Sequence, residues 1–398
     1  MAVTIQQQPD YPGVTYSRLL YSVTSNLYNK PQYQYVMDVV SGSTVLTTLE
    51  QFPNPAGAGV FDVSRILNDY LEYPTNLFDS STTSTFGKSQ QSFEIKFGEK
   101  FGTSPSSSVT LYNGKGGIAR PAVTGSTAIV WPGTVDDNNG EGYDWSDVYS
   151  ANRYLTTYPG SRSFNAERDF KKIGLEDYCL KAYYGSNVSG NIYVRLYNQA
   201  NGLLDTIDLK STVSANGTYI PSGPKNFLLA GASQSDINNT FWYNIQVGTD
   251  YFYYCIDQDS CHYDRVNFLF INKFGVWDCY GINLPQRKTT SIERHSITRP
   301  FVDWSNTTST YDVKSRGKDY YNLKVKDSYT VTSQYLKQDV ADSLSELIES
   351  PNVYLQQGDK FLPIVITNSD YIHYTNLRSQ KTFQYTFNYQ FANDRPAR

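Results

Sequence analysis

Four groups of residues in this sequence have types and spacings that could carry chemistry. In Asp137-Asn138-Asn139-Gly140-Glu141-Gly142, the residues Asp137, Asn139 and Glu141 alternate and Gly142 takes the sixth position. Calcium loops begin this way, because oxygen ligands recur at positions 1, 3 and 5 and glycine makes the sharp turn. The twelfth position is Val148, however, where a bidentate Glu belongs, so a solvated turn is the simpler reading. Cys255 and Cys261 lie near His262, with Cys279 further along. Zinc sites favour Cys pairs two to four residues apart, and a nucleophilic Cys needs a positioned base. His262 follows Cys261 directly, and strand neighbours point to opposite faces, so buried structural cysteines are expected.

Asp250, Asp257, Asp259 and Asp264 crowd the aromatic stretch Tyr251–Tyr254. Two carboxylates that converge in three dimensions could hydrolyse a glycosidic bond, and carboxylates beside aromatics suit a sugar-binding surface. Any tyrosine-rich β-protein shows the same juxtaposition by chance. The last group is basic: Arg287, Lys288, Arg294 and Arg299 stand against the single acid Glu293, between Pro285 and Pro300. It could meet a phosphate or an acidic neighbour, or form an exposed linker. No phosphate-loop, GxSxG or HExxH signature is present, and only 3 histidines occur. The expectation is a protein that is not an enzyme, with no catalytic residue, no cofactor and no metal.

The elements that must position these residues are strands. Charged residues make up 18% of the 398, and the balance of 34 Lys+Arg against 38 Asp+Glu excludes a strongly basic nucleic-acid binder. The 35 tyrosines replace much of the missing charge. Tyrosine suits a pleated, half-buried surface and is enriched at interface hot spots. Period-two alternation dominates. Phe93, Ile95 and Phe97 share a face against Glu94 and Lys96, and Ile192, Val194 and Leu196 alternate with Tyr193, Arg195 and Tyr197. The clearest case is Thr382–Phe391, with Phe383, Tyr385, Phe387, Tyr389 and Phe391 on one side and uncharged Gln384, Thr386, Asn388 and Gln390 on the other. Phe97–Lys100 and Gly114–Gly117 read as turns.

One long amphipathic segment predicts a helix over Ser333–Glu349, capped by Ser333 and ended by Ser350-Pro351. A shorter helical turn is expected in Val63–Leu71, after the breaker cluster Pro53–Gly59. No apolar run reaches the ~20 residues of a membrane helix. The first residues lack a secretory pattern, and four irregularly spaced cysteines suggest no disulfide framework, so synthesis in a reducing cytosol is expected. The fold class expected is mainly β: multi-domain antiparallel β-sandwiches with a smaller C-terminal α+β domain. The expected boundaries are a sandwich over 1–133, a loop-rich connector over 134–169 and a second sandwich over 170–285. A basic linker or arm over 286–310 and an α+β assembly domain over 311–398 complete the chain.

Several segments resemble tail-associated virion proteins of bacteriophages that infect Bacteroidetes-type bacteria, the crAss-like group among them. Phe268–Ile282, FLFINKFGVWDCYGI, is similar to a strand pair of those proteins with the pattern F-N-[KR]-x-G-x-W-[DE]-x-[YF]. Leu347–Ile366 and the closing Phe383–Ala392 resemble elements near their C-termini, and Tyr33–Asp38, Phe52–Gly59 and Phe61–Leu71 match more loosely. These motifs are structural. The resemblance implies a virion tail component, in a neck or ring, tail-hub or baseplate tier, assembled in the host cytoplasm. Its partners would be copies of itself in a ring and other tail or portal-proximal proteins. The alternative is a module at the tail tip that binds a host-surface glycan or receptor. Neither reading involves specific nucleic acid or a membrane span. The interface candidates are Phe383, Tyr385, Phe387 and Tyr389, with Gln384 and Asn388 on the opposite face, and the basic Arg287, Lys288, Arg294 and Arg299.

Overall fold

The computed structural model describes residues 3–9, 13–86, 90–101, 110–111, 123–124, 128–131, 153–158, 170–185, 191–209, 217–257, 264–299, 302–303, 307, 310–311, 314, 317–368 and 384–393. The fold is mainly β, with several antiparallel sheets and few helices. The chain divides into two compact units, each discontinuous in sequence. Met1–Lys171, Tyr178–Ile256 and Ile271–Asp278 make the first, while Lys172–Asp177, Asp257–Phe270 and Cys279–Arg398 make the second. The boundaries expected from composition differ from these. Breaker clusters mark where a chain turns, and distant segments can still join one compact unit.

In the first unit, the strand Gln91–Phe101 lies between Gln34–Ser41 and Ala128–Trp131. Its alternation is as the sequence suggests: Phe93, Ile95 and Phe97 are buried, whereas Glu94 and Lys96 are half-buried and paired with each other at 2.9 Å. Phe97 packs on Tyr21, with ring centroids 5.2 Å apart. The expected turn at Phe97–Lys100 lies inside this strand. Glu99 there is buried, and its Oε2 accepts hydrogen bonds of 2.7 Å from the Ser25 and Tyr33 hydroxyls, which offset part of the cost of burying a carboxylate whose Oε1 has no hydrogen-bond partner. A further sheet pairs Leu203–Asp208, Ile192–Tyr197, Trp242–Val247 and Asp250–Ile256, and Ile192, Val194 and Leu196 face its core. The short helix Ser64–Asn68 falls within the expected segment.

The stretch Ile271–Asp278 of this unit gives the most distinctive sequence motif a structural role. Asn272 Oδ1 accepts from the N–H groups of Phe274 and Val276, while its amide donates to the Leu155 carbonyl at 3.1 Å. Gly275 adopts φ of 72°, the left-handed region a side chain disfavours, and so closes the turn. Phe274 and Trp277 are both buried, as their apolar character suggests. Asp278 is buried as well, and both its oxygens are engaged. Oδ1 pairs with the Lys171 ammonium, and Oδ2 accepts from Lys181 at 2.9 Å and from the Thr156 hydroxyl at 2.9 Å.

The second unit is organised by a seven-stranded sheet. Its order is Trp277–Ile282, Val266–Ile271, Val353–Gln357, Lys360–Ile366, Thr386–Phe391, Lys318–Thr332 and Gln286–Thr298. The helix Gln338–Glu349 lays Ala341, Leu344 and Leu347 into a core with Phe268, Val353, Phe387 and Tyr389. It starts later than the sequence suggests. Ser333 is fully buried just after the strand Lys318–Thr332: its N–H donates to the Tyr385 carbonyl at 2.7 Å, and its hydroxyl accepts from the Tyr385 N–H at 2.9 Å. A side-chain oxygen that could cap a helix is thus taken by a neighbouring segment. The helix ends as expected before Pro351, with Ser350 extended at ψ of 132°.

Candidate assembly interface

The basic segment expected as a linker is a strand. Gln286–Thr298 pairs antiparallel along its whole length with Lys318–Thr332, and the two form a long ribbon. Only the end of the ribbon is held by the sheet, where Tyr329–Thr332 pairs with Thr386–Tyr389. Beyond it, among the described residues, no third strand flanks Lys318–Ser328. All 13 residues of Gln286–Thr298 are exposed. At ~3.4 Å per residue, such a strand extends about 40 Å. Its character was hidden in the sequence because both of its faces are solvated, so no apolar alternation marks it.

The register sorts the ribbon into two faces. Ile292 lies opposite Val325, Arg294 opposite Leu323 and Ser296 opposite Tyr320, so these residues share one side. A bulge between His295 and Ser296 leaves Tyr321 as the extra residue of its strand, which raises the local twist. Ile292 is 44%, Tyr320 59% and Tyr321 71% exposed, and none of the three joins the core of the unit. Cations frame this stripe. Arg294 sits over the Tyr320 ring at 6.0 Å, and Lys288 over the Tyr329 ring at 5.6 Å while paired with Asp327 at 3.0 Å. Arg299 pairs with Asp319 at 3.3 Å. With Arg299 included, the ribbon carries seven Lys and Arg against three Asp and Glu, in a chain of net charge −4.

Two physical points make the ribbon a candidate interface. A two-stranded hairpin is at best marginally stable in water, so a long one with no cover gains from a partner. An apolar and aromatic stripe rimmed by charge also has the make-up of a docking surface.

The other interface candidates are placed differently. Tyr385, Phe387 and Tyr389 are buried in the core of their own unit, and Phe387 and Tyr389 pack on Phe268 with centroids 5.4 and 5.7 Å away. Phe383 lies outside the described residues. Thr386–Phe391 is a central strand, bonded to Lys360–Ile366 on one side and Lys318–Thr332 on the other. Its uncharged face therefore needs no protection against edge pairing. Gln384 donates to the Ser333 carbonyl at 2.9 Å, and the Asn388 side chain accepts from the Thr330 hydroxyl at 2.6 Å.

Of the remaining chemical candidates, Asp137–Gly142, Asp259, Cys261 and His262 lie outside the described residues. Cys179 and Cys279 are each disulfide-bonded, where the spacing suggested no disulfide framework, and Cys255 keeps its thiol. Sequence spacing cannot reveal which cysteines a fold joins. Asp250 accepts a 2.6 Å hydrogen bond from the Tyr183 hydroxyl. Burial and that carboxylate both push the Tyr183 phenol above its ordinary range. Asp257 and Asp264 come together at a polar cleft of the second unit.

No family model and no curated protein matches the chain. Among solved structures, one titled "Biofilm associated protein - BSP domain" is similar at 10% identity and a TM-score of 0.15, over 91% of this chain. The chain spans 64% of that structure's length, and at this level the likeness bears on neither fold nor function.

Proposed function

We propose that the chain is a structural component of a bacteriophage virion tail, in a neck, hub or baseplate tier, that forms a ring and docks neighbouring virion proteins. The single observation that carries this reading is the uncovered ribbon of Gln286–Thr298 and Lys318–Thr332, with its exposed Ile292, Tyr320 and Tyr321. Contacts that repeat around an axis close into rings when the rotation allows it. A basic ribbon on an otherwise acidic chain favours a contact with a second copy, because opposite potentials meet there. The resemblance of Phe268–Ile282 and Leu347–Ile366 to tail proteins points the same way.

The test is the mass of the pure protein by light scattering, with and without the double change Ile292→Asp and Tyr320→Asp. The wild-type chain is expected as a closed multimer. The double variant should be a folded monomer with an unchanged circular dichroism spectrum, since neither residue belongs to the core. Each hot-spot loss should weaken assembly by about 2 kcal/mol or more. A wild-type chain that stays monomeric at all concentrations, or a variant that assembles normally, would rule this function out.

A further inference from the structure

The second unit contains a polar cleft with a volume of about 400 Å³, inside the range of about 300–1,000 Å³ typical of small-molecule sites. Every residue that lines it belongs to that unit. Residues 174–177 line it together with Asp257, Arg265, Asn267, Asn283 and Gln356.

Arg265 organises this lining. Its Nε donates to Asp177 Oδ2 at 2.8 Å, and its Nη1 donates to Asp257 Oδ2 at 2.5 Å. Burial alone would favour loss of the proton, but the two carboxylates hold the guanidinium above even its usual range. The guanidinium is seated by two glycines. A Cβ on Gly281 would stand 2.0 Å from Arg265 Nη2, and one on Gly174 would stand 2.6 Å from Arg265 Cδ, both impossible without displacement. Gln356 ties the lining together, donating to the Glu176 carbonyl at 2.7 Å and accepting from the Asn267 amide at 2.8 Å.

Asp257 is the unbalanced member. Its N–H is anchored on the Ile173 carbonyl at 2.8 Å, and its Oδ2 accepts from both Arg265 and the Asn283 amide. The side chain is only 4% exposed, yet its Oδ1 is buried with no hydrogen-bond partner. An unsatisfied buried carboxylate oxygen is costly, and it calls for a donor. A metal ion fits poorly. Among the described residues, no three ligating side chains of this cleft converge within 4.8 Å, and the Arg265 guanidinium sits on both buried carboxylates.

We infer that this cleft binds a neutral polyhydroxylated ligand, a sugar ring, with a ligand hydroxyl donating to Asp257 Oδ1 and others meeting the side-chain amides of Asn267, Asn283 and Gln356. Amides and carboxylates held rigidly by a neighbouring guanidinium match the alternating donors and acceptors of vicinal hydroxyls. The inference is independent of the assembly reading, since the cleft lines no part of the exposed ribbon.

The experiment is saturation-transfer NMR and calorimetry on the full chain. The probes are glucose, galactose, mannose, rhamnose and N-acetylglucosamine at millimolar concentration, with calcium chloride and ethanolamine as controls. At least one sugar is expected to bind saturably. Asp257→Asn should weaken it tenfold or more, and Leu175→Trp, which adds bulk at a lining residue that makes none of the Arg265 pairs, should abolish it. If Asp257→Asn fails to fold, Leu175→Trp alone decides. The proposal is overturned if no sugar binds, if only calcium or ethanolamine binds, or if sugar binding survives Leu175→Trp. None of these results alters the light-scattering outcome for the ribbon, so the two readings fail separately.

Discussion

Truncating the Asp278 carboxylate, as Asp278→Ala, is expected to lower stability by ~3–5 kcal/mol in chemical denaturation, because it strands two buried ammonium groups. Lys171 and Lys181 side chains are 3% and 0% exposed, and both pair with Asp278. The Lys181 ammonium also lies 4.4 Å from the Phe252 ring centre, a contact that supplements the pair without replacing it. Changing all three residues to apolar ones, Lys171→Met, Lys181→Leu and Asp278→Leu, should recover most of the loss, since a buried ion pair is often no more stabilising than good apolar packing. If Asp278→Ala alone proves harmless, the cluster does not form.

The same cluster sets an acid limit. Burial would push the Asp278 carboxyl up, but the ammonium groups of Lys171 and Lys181 and their hydrogen bonds hold it well below the usual carboxylate range. A depressed carboxylate stabilises the fold fully above its unfolded pKa of about 4, and the contribution is lost as pH falls from there towards the folded value. Stability should therefore decline below roughly pH 4 in the wild-type chain. The apolar triple variant should show a shallower decline over that window.

Trp277→Ala is expected to cost ~3–5 kcal/mol, the range for truncating a buried aromatic side chain. Trp277 is fully buried, with Phe78 edge-on at 4.8 Å and Tyr73 at 6.2 Å between ring centres. Trp277→Phe should lose markedly less, because it keeps an aromatic face against Phe78. Urea midpoints for the two variants give the comparison, and equal midpoints near the wild-type value would place Trp277 outside the core. The neighbouring Asp278 couples to this site, so the two effects should not be added.

Period-two alternation was enough to determine the fold class. Phe93, Ile95 and Phe97, and likewise Ile192, Val194 and Leu196, face their cores because side chains in a strand alternate strictly, and one face of each strand is buried. The helix end at Ser350-Pro351 and the turn at Gly275 were also legible, since both are local consequences of backbone sterics. Tertiary structure decided the rest. Ser333 looked like a helix cap, but a partner distant in sequence took its hydroxyl, and the helix starts later. Arg287–Arg299 looked like a linker because a strand exposed on both faces leaves no hydrophobic period to read. The aromatic strand around Phe387 was recognised as a strand, but pairing on both of its edges made it central. The cleft could not be found from spacing at all. Asp177, Asp257 with Arg265, and Gln356 come from three separate stretches, and only long-range pairing carries their charges and amides to one place.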